Sequence, residues 1–118
     1  MRTALLVAAA LFSTTAFAQS PAAPQLIELD DDQLGVLVLG LSVDQIEDLD
    51  VYDAQGTKLG EVEDVLGTDA MTATALVVDL EGVDLDVIVD LAGLEVRDNR
   101  IITTLTAQEL RALPAWND

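Results

Sequence analysis

The stretch from Asp50 to Asp79, DVYDAQGTKLGEVEDVLGTDAMTATALVVD, decides the fold. Its apolar residues fall in short runs broken by turn formers, which gives strand, tight turn, strand, loop and strand. Asp53-Ala54-Gln55-Gly56 supplies the first turn, because aspartate bonds its own downstream backbone and glycine accepts positive φ without steric penalty. Leu59 to Glu63 returns as a strand, in which Gly60 marks a bulge or a place where another backbone passes close. Thr68-Asp69-Ala70 makes the second turn and Ala75 to Asp79 the third strand. The segment is an antiparallel meander, and the rest of the chain is read outward from it.

Downstream, Asp84 to Leu91 (DLDVIVDL) alternates cleanly. Leu85, Val87, Val89 and Leu91 point one way, and Asp84, Asp86, Ile88 and Asp90 the other, so this is a half-buried strand with an acidic outer face. Asp98-Asn99 separates two further strand-like runs, Leu94 to Arg97 and Arg100 to Thr103, and both residues tolerate the positive φ of a tight hairpin. Thr106-Ala107-Gln108-Glu109 is a capping box that opens a terminal helix with Leu110 and Leu113 on its apolar side. Pro114 stops that helix, and Trp116 staples the tail to the body.

Upstream, Ser42-Val43-Asp44-Gln45 has the same capping pattern and predicts a helical turn over Val43 to Glu47. Leu34 to Val43 is a ten-residue apolar run interrupted by Gly35 and Gly40. It is too short to span a bilayer and reads as a buried strand or as a strand added to the sheet edge, where it would also be a pairing surface. Asp30-Asp31-Asp32 is an acidic turn, and QSPAAP (Gln19 to Pro24) a flexible leader. The first eighteen residues have the features of an export signal: Arg2, a short apolar core from Ala4 to Phe12, and Ala16-Phe17-Ala18 as a cleavage site. The division expected is a signal peptide over 1–18, a leader able to add one strand over 19–40, and one domain over 41–118. The fold expected is all-β, a small antiparallel β-barrel of five or six short strands with a C-terminal helix.

Charge narrows the choice of partners. The 118 residues carry 22 acidic and five basic side chains. All the acids lie beyond residue 18, where the only bases are Lys58, Arg97, Arg100 and Arg111, so removal of the signal takes the net charge from −17 to −18. Such a surface repels nucleic-acid backbones and anionic lipid headgroups, and it attracts cations or a basic partner. Its plainest consequence is solubility, including in salt, where screening relieves self-repulsion. Without cysteine, stability comes from apolar packing and backbone pairing alone.

Catalytic and metal chemistry is sparse. There is no histidine or cysteine, and beyond residue 18 the serines are Ser20 in the leader and Ser42 as a cap, which removes nucleophilic triads and the preferred zinc ligands. Glu61 and Glu63 lie two apart on one strand face, about 7 Å from each other, a spacing that suits glycoside chemistry. A sugar cleft, however, wants aromatic platforms, and only Tyr52 and Trp116 remain to supply them. For calcium, Asp48-x-Asp50-x-x-Asp53 and the strand set Asp84, Asp86 and Asp90 offer oxygen ligands, but neither has the spacing of a wrapped calcium loop. The glycines at 56 and 60 serve a turn and a strand instead of a phosphate cradle.

These elements together resemble the PRC-barrel family over roughly Leu41 to Trp116. The resemblance is carried by Val51-Tyr52-Asp53-Ala54-Gln55-Gly56, Leu59-Gly60-Glu61-Val62-Glu63-Asp64-Val65, Ala75-Leu76-Val77-Val78-Asp79, Val87-Ile88-Val89 and the closing Leu105-Thr106-Ala107-Gln108-Glu109-Leu110-Arg111-Ala112-Leu113-Pro114. Tyr52, Asp53, Gly56, Gly60, Val62, Asp79, Leu110 and Pro114 are the structural positions of that motif. The resemblance implies a small β-barrel used for protein interaction, with no catalytic residues, cofactor or metal ligands to carry over. It is similar to domains of the photosynthetic reaction-centre H subunit and of a ribosome-maturation factor, but lacks the membrane helix of the first and the RNA-associated domain of the second. The function expected is a non-enzymatic interaction module of the bacterial envelope, periplasmic or secreted, that engages another envelope protein or itself. The alternative is an acidic protein binding Ca²⁺ or another cation.

Overall fold

A computed structural model describes residues 25–117. Nine strands and two short helices follow one another in these residues. They are β1 (Ile27–Glu28), β2 (Gly35–Val36), β3 (Leu41–Ser42), α1 (Val43–Glu47), β4 (Asp50–Tyr52), β5 (Lys58–Asp69), β6 (Thr72–Leu80), β7 (Asp86–Asp90), β8 (Leu94–Arg97), β9 (Arg100–Thr103) and α2 (Ala107–Arg111). The number exceeds the expected five or six because the chain before Asp50 adds three two-residue strands.

The main sheet runs β7-β6-β5-β4-β9-β8, with β1 also paired to β5. Neighbours are antiparallel except β4 and β9, which pair in parallel through Val51 with Ile101 and Tyr52 with Ile102. The two edge strands are joined by a single 3₁₀ turn, Leu91–Gly93. A connection that short requires the sheet to curl until its edges approach, which makes a half-barrel. The concave side holds the core: Val43 and Ile46 from α1, Val51, Val65, Leu76, Val78, Val87, Ile101 and Leu110 are all buried. Both capping boxes are closed in both directions, by Ser42 with Gln45 and by Thr106 with Glu109.

The centre of β6 is buried on both faces. Leu76 and Val78 enter the main core, while Val77 packs with Leu66 and Ala75 in a second cluster on the outer face. Leu26, Ile88 and Trp116 lie over that cluster. Trp116 is brought there by the tail, which pairs along β7: the Ile88 N–H donates to the Pro114 carbonyl and the Trp116 N–H to the Asp86 carbonyl, both at 2.9 Å. The tail thus covers an edge that would otherwise offer unpaired backbone.

Two local expectations need correction. The second turn is not at Thr68-Asp69-Ala70; β5 stays paired to Asp69, opposite Thr72, and the loop is Ala70-Met71, with Asp69 Oδ1 accepting from the Met71 N–H. Leu34 to Val43 is neither one buried strand nor an addition to the main sheet. It folds back on itself as the β2–β3 hairpin, Gly35 opposite Ser42 and Val36 opposite Leu41, with Gly40 at φ +72°. Glycine at 40 permits the reversal, and a run that can bury Val36 and Leu39 while turning does not need a partner strand. The strand that joins the sheet from this region is β1, opposite Leu66 and Gly67.

Candidate functional site

The motif residues sit where the barrel is built. Tyr52 ends β4, and its ring lies 4.4 Å beneath the Arg100 guanidinium, a cation–π contact across the parallel pair. Asp53 Oδ1 accepts from the N–H groups of Gln55 and Thr57, both at 2.9 Å, and Gly56 takes φ +88° to complete the turn. Gly60 is a close-approach glycine, since a Cβ there would lie 2.5 Å from the Asp79 carbonyl oxygen on β6. Val62 and Leu110 point into the core, and the Pro114 carbonyl anchors the tail to β7.

Lys58 is the electrostatic hub of this end. Its ammonium lies 3.1 Å from Glu61, 3.4 Å from Glu81 and 3.6 Å from Asp50. The hydrogen bond that the ammonium donates to Glu61 holds its pKa above the ordinary lysine range; burial opposes this, and the charges of Asp50, Glu61 and Glu81 add to it. Glu61 therefore serves an ion pair and is not one half of an isolated pair with Glu63. Arg97 is raised likewise, first by its hydrogen bond to Glu95 and then by that residue's charge. Arg97 and Arg100 border a shallow depression of about 290 Å³ beside the Asp53–Gly56 turn.

Neither carboxylate set proposed from the sequence for calcium comes together. Asp50 is held by Lys58, Asp53 by its own turn, and Asp90 caps the 3₁₀ turn by accepting from the Ala92 N–H. Among the described residues, the trio that does converge is Glu63, Asp79 and Asp86, one from each of three adjacent strands, with carboxylate oxygens within 4.8 Å of one another. Asp79 and Asp86 stand directly opposite across β6 and β7. Glu63 joins them through a bulge: Val62 pairs with Val78 and Asp64 with Val77, which leaves Glu63 as the extra residue. Asp86 belongs to the strand set read from the sequence, whereas nothing in the sequence marks the bulge that adds Glu63.

The opposite character appears at the hairpin tips. Leu37 on the β2–β3 turn is 94% exposed, Val38 67%, and Met71 on the β5–β6 turn 71%. Together with Val36, Thr72 and Ala73 they border a groove of about 290 Å³. No sequence signal joined Leu37 to Met71, because the two turns meet only through the tertiary fold. Among the described residues no helix is long and apolar enough to cross a membrane.

A curled sheet closed by short helices, with Asp53 spent on its turn and Tyr52 on its contact with Arg100, defines a small β-barrel module. A model of the PRC-barrel domain matches residues 40–110, and the chain belongs to that family. The family is in general a non-catalytic domain. No curated protein matches the chain.

Proposed function

We propose that the protein is a non-enzymatic protein-interaction module of the bacterial envelope, exported through its N-terminal signal and acting in the periplasm or outside the cell. The observation that carries this reading is the exposure of Leu37, Val38 and Met71 on an otherwise acidic chain. Soluble proteins seldom leave several large apolar side chains together in water unless that surface is used. The absence of histidine and cysteine from the sequence supports a non-catalytic role. Crosslinking in intact cells followed by mass spectrometry tests the proposal. The expected result is a specific envelope partner crosslinked to a chain whose N-terminus is Gln19; a chain retained in the cytoplasm, or a monomer crosslinked to nothing, defeats it.

The convergence of Glu63, Asp79 and Asp86 favours a second reading, an acidic cation-binding protein. Hard cations take several carboxylate oxygens, and three on one sheet face supply part of such a shell. Calorimetry with Ca²⁺ at physiological ionic strength tests it. Heat and a thermal shift, both lost in Asp79→Asn, support the reading; neither appearing ends it.

A further inference from the structure

We propose that the tips of the β2–β3 and β5–β6 hairpins form one docking surface, and that its occupant is a partner protein with an apolar centre and a basic rim. The proposal rests on the interaction-module reading and locates the interaction on the molecule. Val36 to Val38 and Met71 to Ala73 form the two walls of one shallow groove. Leu37 rises from those walls almost fully into solvent, and Val38 and Met71 for about two thirds of their surface.

Neither turn needs these side chains. The β2–β3 turn is held by the Leu39 and Gly40 N–H groups donating to the Val36 carbonyl, with Gly40 in the left-handed region. The β5–β6 turn is held by Asp69 Oδ1 accepting from the Met71 N–H. Polar residues would satisfy both turns equally well, and turns usually carry them. The apolar tips therefore require a reason outside the fold. Leu37 and Val38 precede the residues that the family match covers, whereas Met71 lies within them.

The surroundings of the groove specify the occupant. From Leu34 to Val43 the hairpin carries no charge at all. Asp69 stands two residues before Met71. At the foot of the hairpin the Leu34 N–H donates to the Asp31 carbonyl and the Asp44 N–H to the Asp32 carbonyl, which gathers three more aspartates there. No charged side chain lines the groove itself. An apolar groove whose flanking chain carries aspartates and no base is the complement of an apolar centre within a basic rim. A second copy of this chain would set one acidic border against another, with a net charge of −17 on each molecule, and an anionic lipid surface meets the same repulsion.

The test uses the purified protein and a fluorescein-labelled amphipathic helical peptide, leucine on one face and lysine elsewhere. A second peptide has the same charge but glutamine in place of each leucine. Fluorescence anisotropy in 0.15 M NaCl should show the leucine peptide bound about tenfold more tightly or better, as expected when anchor side chains enter an apolar groove. The triple variant Leu37→Gln, Val38→Gln, Met71→Gln should abolish that preference and keep only the weak charge-driven binding common to both peptides. These side chains are exposed, so the variant should retain the wild-type circular dichroism spectrum and melting temperature. Equal binding of the two peptides by the wild type, or an unchanged preference in the variant, overturns the proposal. So does a wild-type dimer in 1 M NaCl that the variant loses, which assigns the surface to a second copy. Flotation of the wild type alone with uncharged phosphatidylcholine vesicles overturns it in favour of lipid. In the cellular crosslinking experiment, a partner captured equally by wild type and variant overturns this surface and leaves the module reading intact, whereas a wild type that captures nothing removes the module reading itself.

Discussion

Substituting Gly60 with alanine tests whether the barrel depends on close strand approach at one point. Gly60 lies in the middle of β5, opposite Val51 on β4 and Leu80 on β6. An added Cβ would sit 2.5 Å from the Asp79 carbonyl oxygen and 2.9 Å from Val78 Cγ1, where ordinary contact begins at 3.4 Å. The backbone must therefore open by about 0.9 Å. The Glu81 N–H to Leu59 carbonyl bond and the Val62 N–H to Leu49 carbonyl bond flank this point on either side and lengthen with it. Overpacking of this kind costs about 1–3 kcal/mol, and the loss of glycine's freedom in the unfolded chain returns about 0.4–1 kcal/mol. At the middle of both ranges the net destabilisation is about 1.3 kcal/mol, which for a domain of this size lowers the melting temperature by about 5–10 °C. Gly93→Ala is the matched control, because its Cβ would meet nothing within 4 Å. It should be neutral or stabilising by up to about 1 kcal/mol. Thermal denaturation followed by circular dichroism separates the two. A Gly60→Ala protein as stable as wild type, or two variants equally destabilised, refutes the steric argument.

Removing the cap hydroxyls by Ser42→Ala or Thr106→Ala should cost about 1 kcal/mol each, read from urea midpoints, because each accepts from the backbone of the third helical residue. Asn99→Ile should cost about 1–3 kcal/mol while Asn99→Gly changes little, since Asp98 and Asn99 hold φ of 53° and 61°; chemical denaturation of the pair checks this. Glu47→Gln should stabilise the protein at pH 7 by a few tenths of a kcal/mol and lose that advantage near pH 4. Burial, followed by the charges of Asp64, Asp32, Asp44 and Asp48, raises the Glu47 carboxyl above its ordinary value. With the folded pKa above the unfolded one, the proton favours the native state; that contribution is complete below the unfolded pKa and is lost as pH rises through the folded one. Urea midpoints of both proteins at the two pH values give the comparison.

The elements legible in the sequence are those whose instructions are local. The two S/T-x-x-Q/E boxes, the Asp53–Gly56 turn and the Asp98–Asn99 hairpin each hold their hydrogen-bonding groups within five residues, and each forms where expected. The Asp84–Leu91 alternation places Val87, Val89 and Leu91 in the core as read. The segment Leu34 to Val43 was harder because an apolar run states that it will be buried without stating against what. A long strand and a hairpin share its composition, and Gly40 settles the matter only once Val36 and Leu39 find the core. The parallel β4–β9 pair is likewise invisible locally, since nothing in Val51-Tyr52 or Ile101-Ile102 distinguishes a parallel neighbour from an antiparallel one.

The candidate sites were less legible for a different reason. Strict alternation places Glu61 and Glu63 as equivalents on one face, yet the bulge after Val62 divides their roles: Glu61 turns to Lys58, and Glu63 to Asp79 and Asp86. A single inserted residue alters which carboxylates meet, and a bulge in an otherwise regular strand leaves little mark on composition. The apolar surface depends on even less local information, since Leu37 and Met71 belong to two turns more than thirty residues apart. Scaffold and surface are thereby separated. Gly60, Val62, Leu110 and the Asp53 turn cannot vary without disturbing the sheet, whereas Leu37, Val38 and Met71 touch solvent and hold no part of the core. If the tips dock a partner as proposed, substitutions there should alter recognition with little effect on stability, which makes the two hairpin turns the region where a fixed scaffold and a changeable specificity can coexist in so small a chain.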